Sequence, residues 1–283
     1  MRLDRFDRRM SYVFLCATPF LAIIAGGVRP LRVPGVYHVI GAVLFTAICI
    51  AAWILGARAI RADVQGRRQL GLTGALLVAP FAIVALMWVG LGPPWEATAA
   101  ENQMRYLALI VISSAVAIGF VVLKDALSQA GERFYSTLGF ATIILAGPLY
   151  LIFNTFAFGA SVAMEHTGQM PPTMVSLNVV VDTLLSLGAA LTYFATAAFA
   201  ASLRRTDWLG RKAALAYIIV NFVALFFLVL RVLTHPDPAT PDAPWYTGPG
   251  FVVTIPVIPF IMPFLLGIVL LRRAGDEQLA AAA

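Results

Sequence analysis

Eight separate stretches of this chain, at about 11–27, 35–57, 70–92, 104–123, 136–160, 173–203, 213–233 and 248–271, are apolar. Each approaches or exceeds the ~20 residues that a helix needs to cross a bilayer. Inside lipid every backbone N–H and C=O must be satisfied within the protein, which leaves helices as the fold for runs of this kind. The runs account for most of the 283 residues, with 60% of the chain hydrophobic and 12% charged. A mean hydropathy of +0.87 fits a body solvated by lipid, with no separate soluble domain. An all-α, polytopic membrane protein with eight transmembrane helices is expected.

The net charge of +6 could suggest nucleic acid as a partner. Placed loop by loop, it is a topology signal instead. Arg2, Arg5, Arg8 and Arg9 precede the first run, and Arg58, Arg61, Arg67 and Arg68 separate the second from the third. Lys124 and Arg133, then Arg204, Arg205, Arg211 and Lys212, then Arg272 and Arg273 continue the series on the same side. Only Arg29, Arg32, Arg105 and Arg231 fall on the other side. Sixteen against four predicts cytoplasmic termini and no nucleic-acid role. The expected location is integral and multi-pass, in the cytoplasmic membrane if the source is bacterial. The charged start followed by an apolar Tyr12–Ala25 run has the outline of a signal peptide. No convincing small-x-small cleavage site follows it, so it is read as the first span. Cys16 and Cys49 lie within spans and read as small core residues.

Two octapeptides, Arg61-Ala62-Asp63-Val64-Gln65-Gly66-Arg67-Arg68 and Arg205-Thr206-Asp207-Trp208-Leu209-Gly210-Arg211-Lys212, share a pattern 144 residues apart. Both link apolar hairpins, and the spans that follow them both end at a Pro-Trp pair, Pro94-Trp95 and Pro244-Trp245. Four spans per copy keep one orientation, so the expectation is two parallel four-helix repeats, 1–130 and 131–283, related by an axis along the membrane normal. The sixth span is rich in Gly, Ala and Ser between Ser186 and Ala198, which lets helices approach closely and predicts a central position.

Asp182 is the one acidic residue well inside a span, where a carboxylate is costly. It lies 22 residues before Arg204, ~33 Å along a helix, near the outer boundary. Arg231, 20 residues after Arg211 on the next span, reaches a similar level, ~30 Å, and is the predicted partner. Asn178, Asp182, Ser186, Ala189 and Tyr193 share one face of the sixth span, and Tyr217, Asn221, Ala224, Leu228 and Arg231 one face of the seventh. With Asn154 on the fifth span, these stripes predict a polar seam in the second half, either packing glue or a ligand pathway. Asp182, Arg231, Asn178, Asn154, Asn221 and Tyr217 are therefore the candidate ligand-binding or gating residues. In the eighth span, Pro256, Pro259 and Pro263 free the carbonyls of Val252, Ile255 and Pro259, and a kink there is expected.

Catalytic chemistry leaves no motif: there is no Cys-x-x-Cys, His-Glu-x-x-His, Gly-x-Ser-x-Gly or Walker-type loop. His38, His166 and His235 sit at the outer side with Glu96, Glu101, Glu165, Asp237 and Asp242, but without metal-ligand spacing, so no metal is expected. With only His38 on a span, haem held by paired histidines is not expected either. No catalytic residue and no cofactor is assigned, while a quinone or lipid, which needs no motif, stays open. Three function classes remain. The first is a permease or small-molecule-binding protein with an outward-facing polar pocket in the second repeat. The second is a non-catalytic subunit of a larger membrane complex, which would have a membrane-protein partner or a second copy of the chain. The third is a membrane enzyme acting on a lipid or quinone.

Overall fold

The computed structural model describes residues 2–27, 35–234 and 242–280. It is all-helical among these residues, in the order α1 (Arg2–Gly27), α2 (Val36–Leu55), a 3-10 turn (Ala57–Arg61), α3 (Gln65–Leu91), α4 (Ala99–Gln129) and α5 (Phe134–Thr167). The chain continues through α6 (Pro172–Arg205), α7 (Arg211–Thr234), α8 (Thr247–Thr254) and α9 (Val257–Ala280). Eight of these helices are long and apolar enough to span a bilayer, which fits a multi-pass membrane protein. Arg29, Arg32, His235 and Asp237 lie outside the described residues.

The eighth apolar run is not one helix from 248 to 271. Pro256 lacks an N–H and disfavours a helical residue before it, so Ile255 turns extended (φ −55°, ψ 126°) between the eight-residue α8 and α9. The carbonyls at this break find partners, as lipid-embedded backbone must. Val252 accepts from the Ile255 N–H at 3.1 Å and Ile255 from the Ile258 N–H at 2.9 Å. The Tyr193 hydroxyl donates to the Val253 carbonyl at 2.8 Å. The helix that spans is thus α9, and it carries Arg272, Arg273 and Asp276 as helical residues beyond the expected end.

The centre belongs to α3 and α9, with 61% and 56% of their spans buried against 28% for α6, the helix whose small residues predict a central place. Glycines explain the difference. A Cβ on Gly267 would lie 2.9 Å from Leu77 Cβ and 3.0 Å from the Gly74 carbonyl; one on Gly74 would lie 3.0 Å from the Gly267 carbonyl. Two backbones meet here at a distance only glycine permits, and tight packing of this kind associates helices in lipid. The small residues of α6 serve its two flanking helices instead: Phe199 and the Ala195 carbonyl press on Gly139 of α5, and Ala189 packs with Ala224 and Leu228 of α7. One continuous core joins Leu77, Phe120, Tyr150, Phe199, Phe260 and Leu270, so α9 locks into the first half of the chain and residue 130 separates no independent cores. Phe120 stacks on Phe199 at 4.7 Å within this core, and Phe81 on Phe264 at 4.4 Å within a second cluster that α1 and α2 share with α3 and α9.

The start of α1 and the end of α9 lie together. Arg8, buried, donates to the Gly275 and Arg272 carbonyls at 3.1 and 3.2 Å and to Asp276 Oδ1 at 3.1 Å. Both octapeptide linkers join this basic end of the bundle.

Candidate functional site

At the end away from the termini, a cavity of about 180 Å³ lies where α3, α4, α5, α6, α7 and the α8–α9 break converge. That exceeds the ~150 Å³ of a protein cavity known to hold benzene, so a compound of roughly one ring and a polar substituent fits. Its walls are mainly apolar and aromatic, among them Met87, Trp88, Tyr106, Leu109, Phe153 and Leu185. Three charged side chains line it: Arg105, Asp182 and Arg231.

Arg231 is held by three neighbours on two elements, α6 and α8. Nη2 donates to Asp182 Oδ2 on α6 at 3.1 Å, and Nη1 to Thr254 Oγ1 on α8 at 3.2 Å. Its guanidinium carbon stands 5.7 Å from the centre of the Phe251 ring. α8 can come this close because Gly250 faces Arg231: a Cβ there would meet Arg231 Cβ at 2.7 Å. The Arg231 side chain is 14% exposed and that of Asp182 38%, so the acid keeps contact with solvent while the base is largely enclosed. Arg105, buried on α4, donates to the Gly92 carbonyl at 2.6 Å and to Asn102 Oδ1 at 2.9 Å. Gly92 closes α3 with φ 77°, a conformation glycine adopts without strain, and a cation at that carbonyl end opposes the negative pole of the helix. The position of Arg105 is set by Thr98 and Glu101, which cap α4 reciprocally: Glu101 N–H to Thr98 Oγ1 at 3.2 Å, Thr98 N–H to Glu101 Oε2 at 2.7 Å.

Of the residues singled out from the sequence, Asp182 and Arg231 meet in the cavity wall. Asn154, Asn221, Tyr217 and Asn178 do not line it. Asn178 is exposed, and Asn154 and Asn221 are buried in the helix packing. Asn221 Nδ2 donates to the Tyr217 carbonyl at 2.7 Å, one turn back on its own helix, and neither Asn oxygen accepts a protein hydrogen bond. The helical faces themselves are as the periodicity predicts. On α6, burial deepens from Asn178 through Asp182 to Ser186, Ala189 and Tyr193. On α7, Asn221, Ala224 and Leu228 are inside while Val220, Phe222, Val223 and Phe226 face out. The polar stripes therefore mark buried faces, and the cavity occupies only their outermost turn.

Sequence reasoning missed Arg105, whose place beyond a Thr-x-x-Glu capping box, one turn into a helix, marks it as held. It also missed Glu132, buried between α4 and α5 at the basic end. Oε1 accepts from the Tyr135 N–H at 2.8 Å, Oε2 from the Ser136 N–H at 3.0 Å, and the Ser202 hydroxyl donates to Oε2 across from α6. Burial alone would push this carboxyl up, but the bonds from Ser202, Tyr135 and Ser136 outweigh it and hold it below the usual range. Among the described residues no three His, Cys, Asp or Glu side chains converge as a metal site would require.

No protein-family model, no curated protein and no solved structure matches the chain. What the cavity does must be read from its own chemistry.

Proposed function

We propose that this chain is a small-molecule-binding membrane protein of the permease type, with the cavity as its binding site and a small monoanion carrying an apolar body as its ligand. The observation that carries this reading is Arg231, enclosed at a broken helix and facing a cavity with apolar walls. Arg231 meets the cavity bonded to Asp182 and Thr254, and an anionic ligand group could take the place of the Asp182 carboxylate there. The α8–α9 break adds a helix start at Val257, whose dipole favours the same sign. Discontinuous membrane helices that present their ends to a ligand are a recurring transporter device.

In this reading Asp182 is the gate. It holds Arg231 when the site is empty and, being more exposed, gives way when a ligand carboxylate takes its place. The two clusters beneath, with the Phe81–Phe264 and Phe120–Phe199 stacks, seal the site from the basic end. The positive-inside bias supports a cytoplasmic basic end, with the cavity open to the other side. The octapeptide match supports descent of 1–130 and 131–283 from one four-helix unit, and the ligand site then lies between the copies.

Binding of benzoate to the full chain in mild detergent tests the reading. Wild-type protein is expected to bind it, and Arg231→Gln to bind at least tenfold more weakly, since a charge-assisted hydrogen bond contributes about 1.5–3 kcal/mol. Leu185→Trp, which fills the cavity and leaves its charges in place, should abolish binding. Equal binding by the wild type and both variants would remove the cavity from the account.

A further inference from the structure

The cavity leaves the basic end unexplained, and the arginines there are more ordered than topology alone requires. Arg272 lies with its guanidinium carbon 4.8 Å from the centre of the Tyr12 ring, and Arg273 5.0 Å from that of Trp208. Asp276 ties the group together, with Oδ1 3.1 Å from Arg8 Nη2 and Oδ2 3.9 Å from Arg272 Nε. Two adjoining grooves of about 590 and 550 Å³ flank this cluster and share Tyr12, Arg272 and Asp276. One runs between α9 and the second octapeptide, over Trp208 and Gly210; the other runs along α1, past Arg9 to Leu55.

We propose that these grooves bind an anionic phospholipid, its headgroup phosphate held by Arg272 and Arg273 and its acyl chains lying along the apolar groove walls.

Among the described residues Arg8, Arg9, Arg272 and Arg273 line the grooves together with Asp276, which is bonded to Arg8. A lining of this kind favours an anionic headgroup over a zwitterionic one. Guanidiniums laid on aromatic rings are pre-oriented forks for phosphate oxygens, so little side-chain freedom is lost on binding. The walls distinguish a lipid from free phosphate. Val13, 60% exposed, and Val269 and Ala213 continue each groove away from the charges along the membrane-spanning faces of α1, α9 and α7. Tyr12 and Trp208 stand where membrane proteins place aromatic residues at headgroup level. Basic pockets between membrane helices on the positive side are known settings for anionic headgroups. The second octapeptide thereby acquires a role: it supplies the ring that aligns Arg273.

The test is native mass spectrometry of the full chain in mild detergent, titrated with phosphatidylglycerol, phosphatidylcholine and inorganic phosphate. Phosphatidylglycerol is expected to bind at least tenfold more tightly than phosphatidylcholine, and inorganic phosphate at equal concentration not to displace it. At about fivefold per arginine near a membrane surface, the double variant Arg272→Gln with Arg273→Gln should lose about 25-fold. Arg68→Gln with Arg67→Gln, the same charge change at the same end outside the grooves, should lose nothing. Should the groove double variant fail to accumulate, Arg273→Gln alone, expected to lose about fivefold, decides in its place. Undiminished binding by the groove variants, an equal loss in Arg68→Gln with Arg67→Gln, or displacement by inorganic phosphate would each overturn the proposal.

Discussion

Glu132 shows how one buried side chain can hold two helices and report on pH. Its carboxylate takes two backbone N–H groups at the start of α5 and the hydroxyl of Ser202 on α6, so removing its charge leaves buried donors unpaired. Glu132→Gln is expected to cost about 1–3 kcal/mol, read as a lower midpoint of thermal unfolding in detergent. Because the folded-state pKa lies below the ordinary 4.5, the ionised form stabilises the fold at neutral pH. That contribution is fully present above the unfolded value and is lost as pH falls through the lower folded one. The gap in stability between wild type and variant should therefore shrink on acidification below about pH 4.5, which parallel unfolding curves would show. The Asp182–Arg231 bond is a weaker prop. With Asp182 half exposed, and with Arg231 still bonded to Thr254, Asp182→Asn should cost only about 1 kcal/mol while altering ligand affinity more. Comparing unfolding with benzoate binding in that variant separates a structural pair from a gate.

The elements divide sharply into those legible from sequence and those that were not. Each span could be read because lipid demands a continuous apolar run, and the α6 and α7 faces because helical periodicity repeats every 3.6 residues regardless of the neighbour. The proline series around Pro256 announced trouble in the eighth run; that it breaks the helix outright depends on Tyr193, 60 residues away in the chain, accepting the role of partner to Val253. Tyr193→Phe should cost about 0.5–1.5 kcal/mol and raise hydrogen exchange at α8 ahead of the other helices. The pairing of α3 with α9 was not legible. Glycine is common in membrane helices, and nothing local says that Gly74 faces Gly267 while the small residues of α6 face α5 and α7. A branched side chain at Gly267 has no room against Leu77 Cβ, so Gly267→Val should prevent accumulation of folded protein, whereas Gly66→Ala, in open space, should not.

At the scale of the whole molecule, the cavity is the feature that sequence conceals most completely. Its charged residues come from α4, α6 and α7, and its shape from a helix break, so no spacing along the chain encodes it. Counting residues from the basic loops placed Asp182 and Arg231 at one depth, and they meet there. The same count left Arg105 as an ordinary outer cation, since its contacts with Gly92 and Asn102 depend on how α4 turns against α3. The site lies between the halves, with Met87 and Arg105 from one and Arg231 and Thr254 from the other, rather than inside either. A molecule built this way should have its ligand end on the face away from both termini. Cysteine labelling in intact cells tests that directly, with Cys16→Ser and Cys49→Ser as background and a membrane-impermeant maleimide as reagent. Trp95→Cys, exposed at the cavity rim, should label from outside and be protected by benzoate, while Arg68→Cys should label only after permeabilisation. Labelling of Arg68→Cys in intact cells with Trp95→Cys silent, or labelling of Trp95→Cys that benzoate leaves unchanged, would contradict an anion site open to the face opposite the termini.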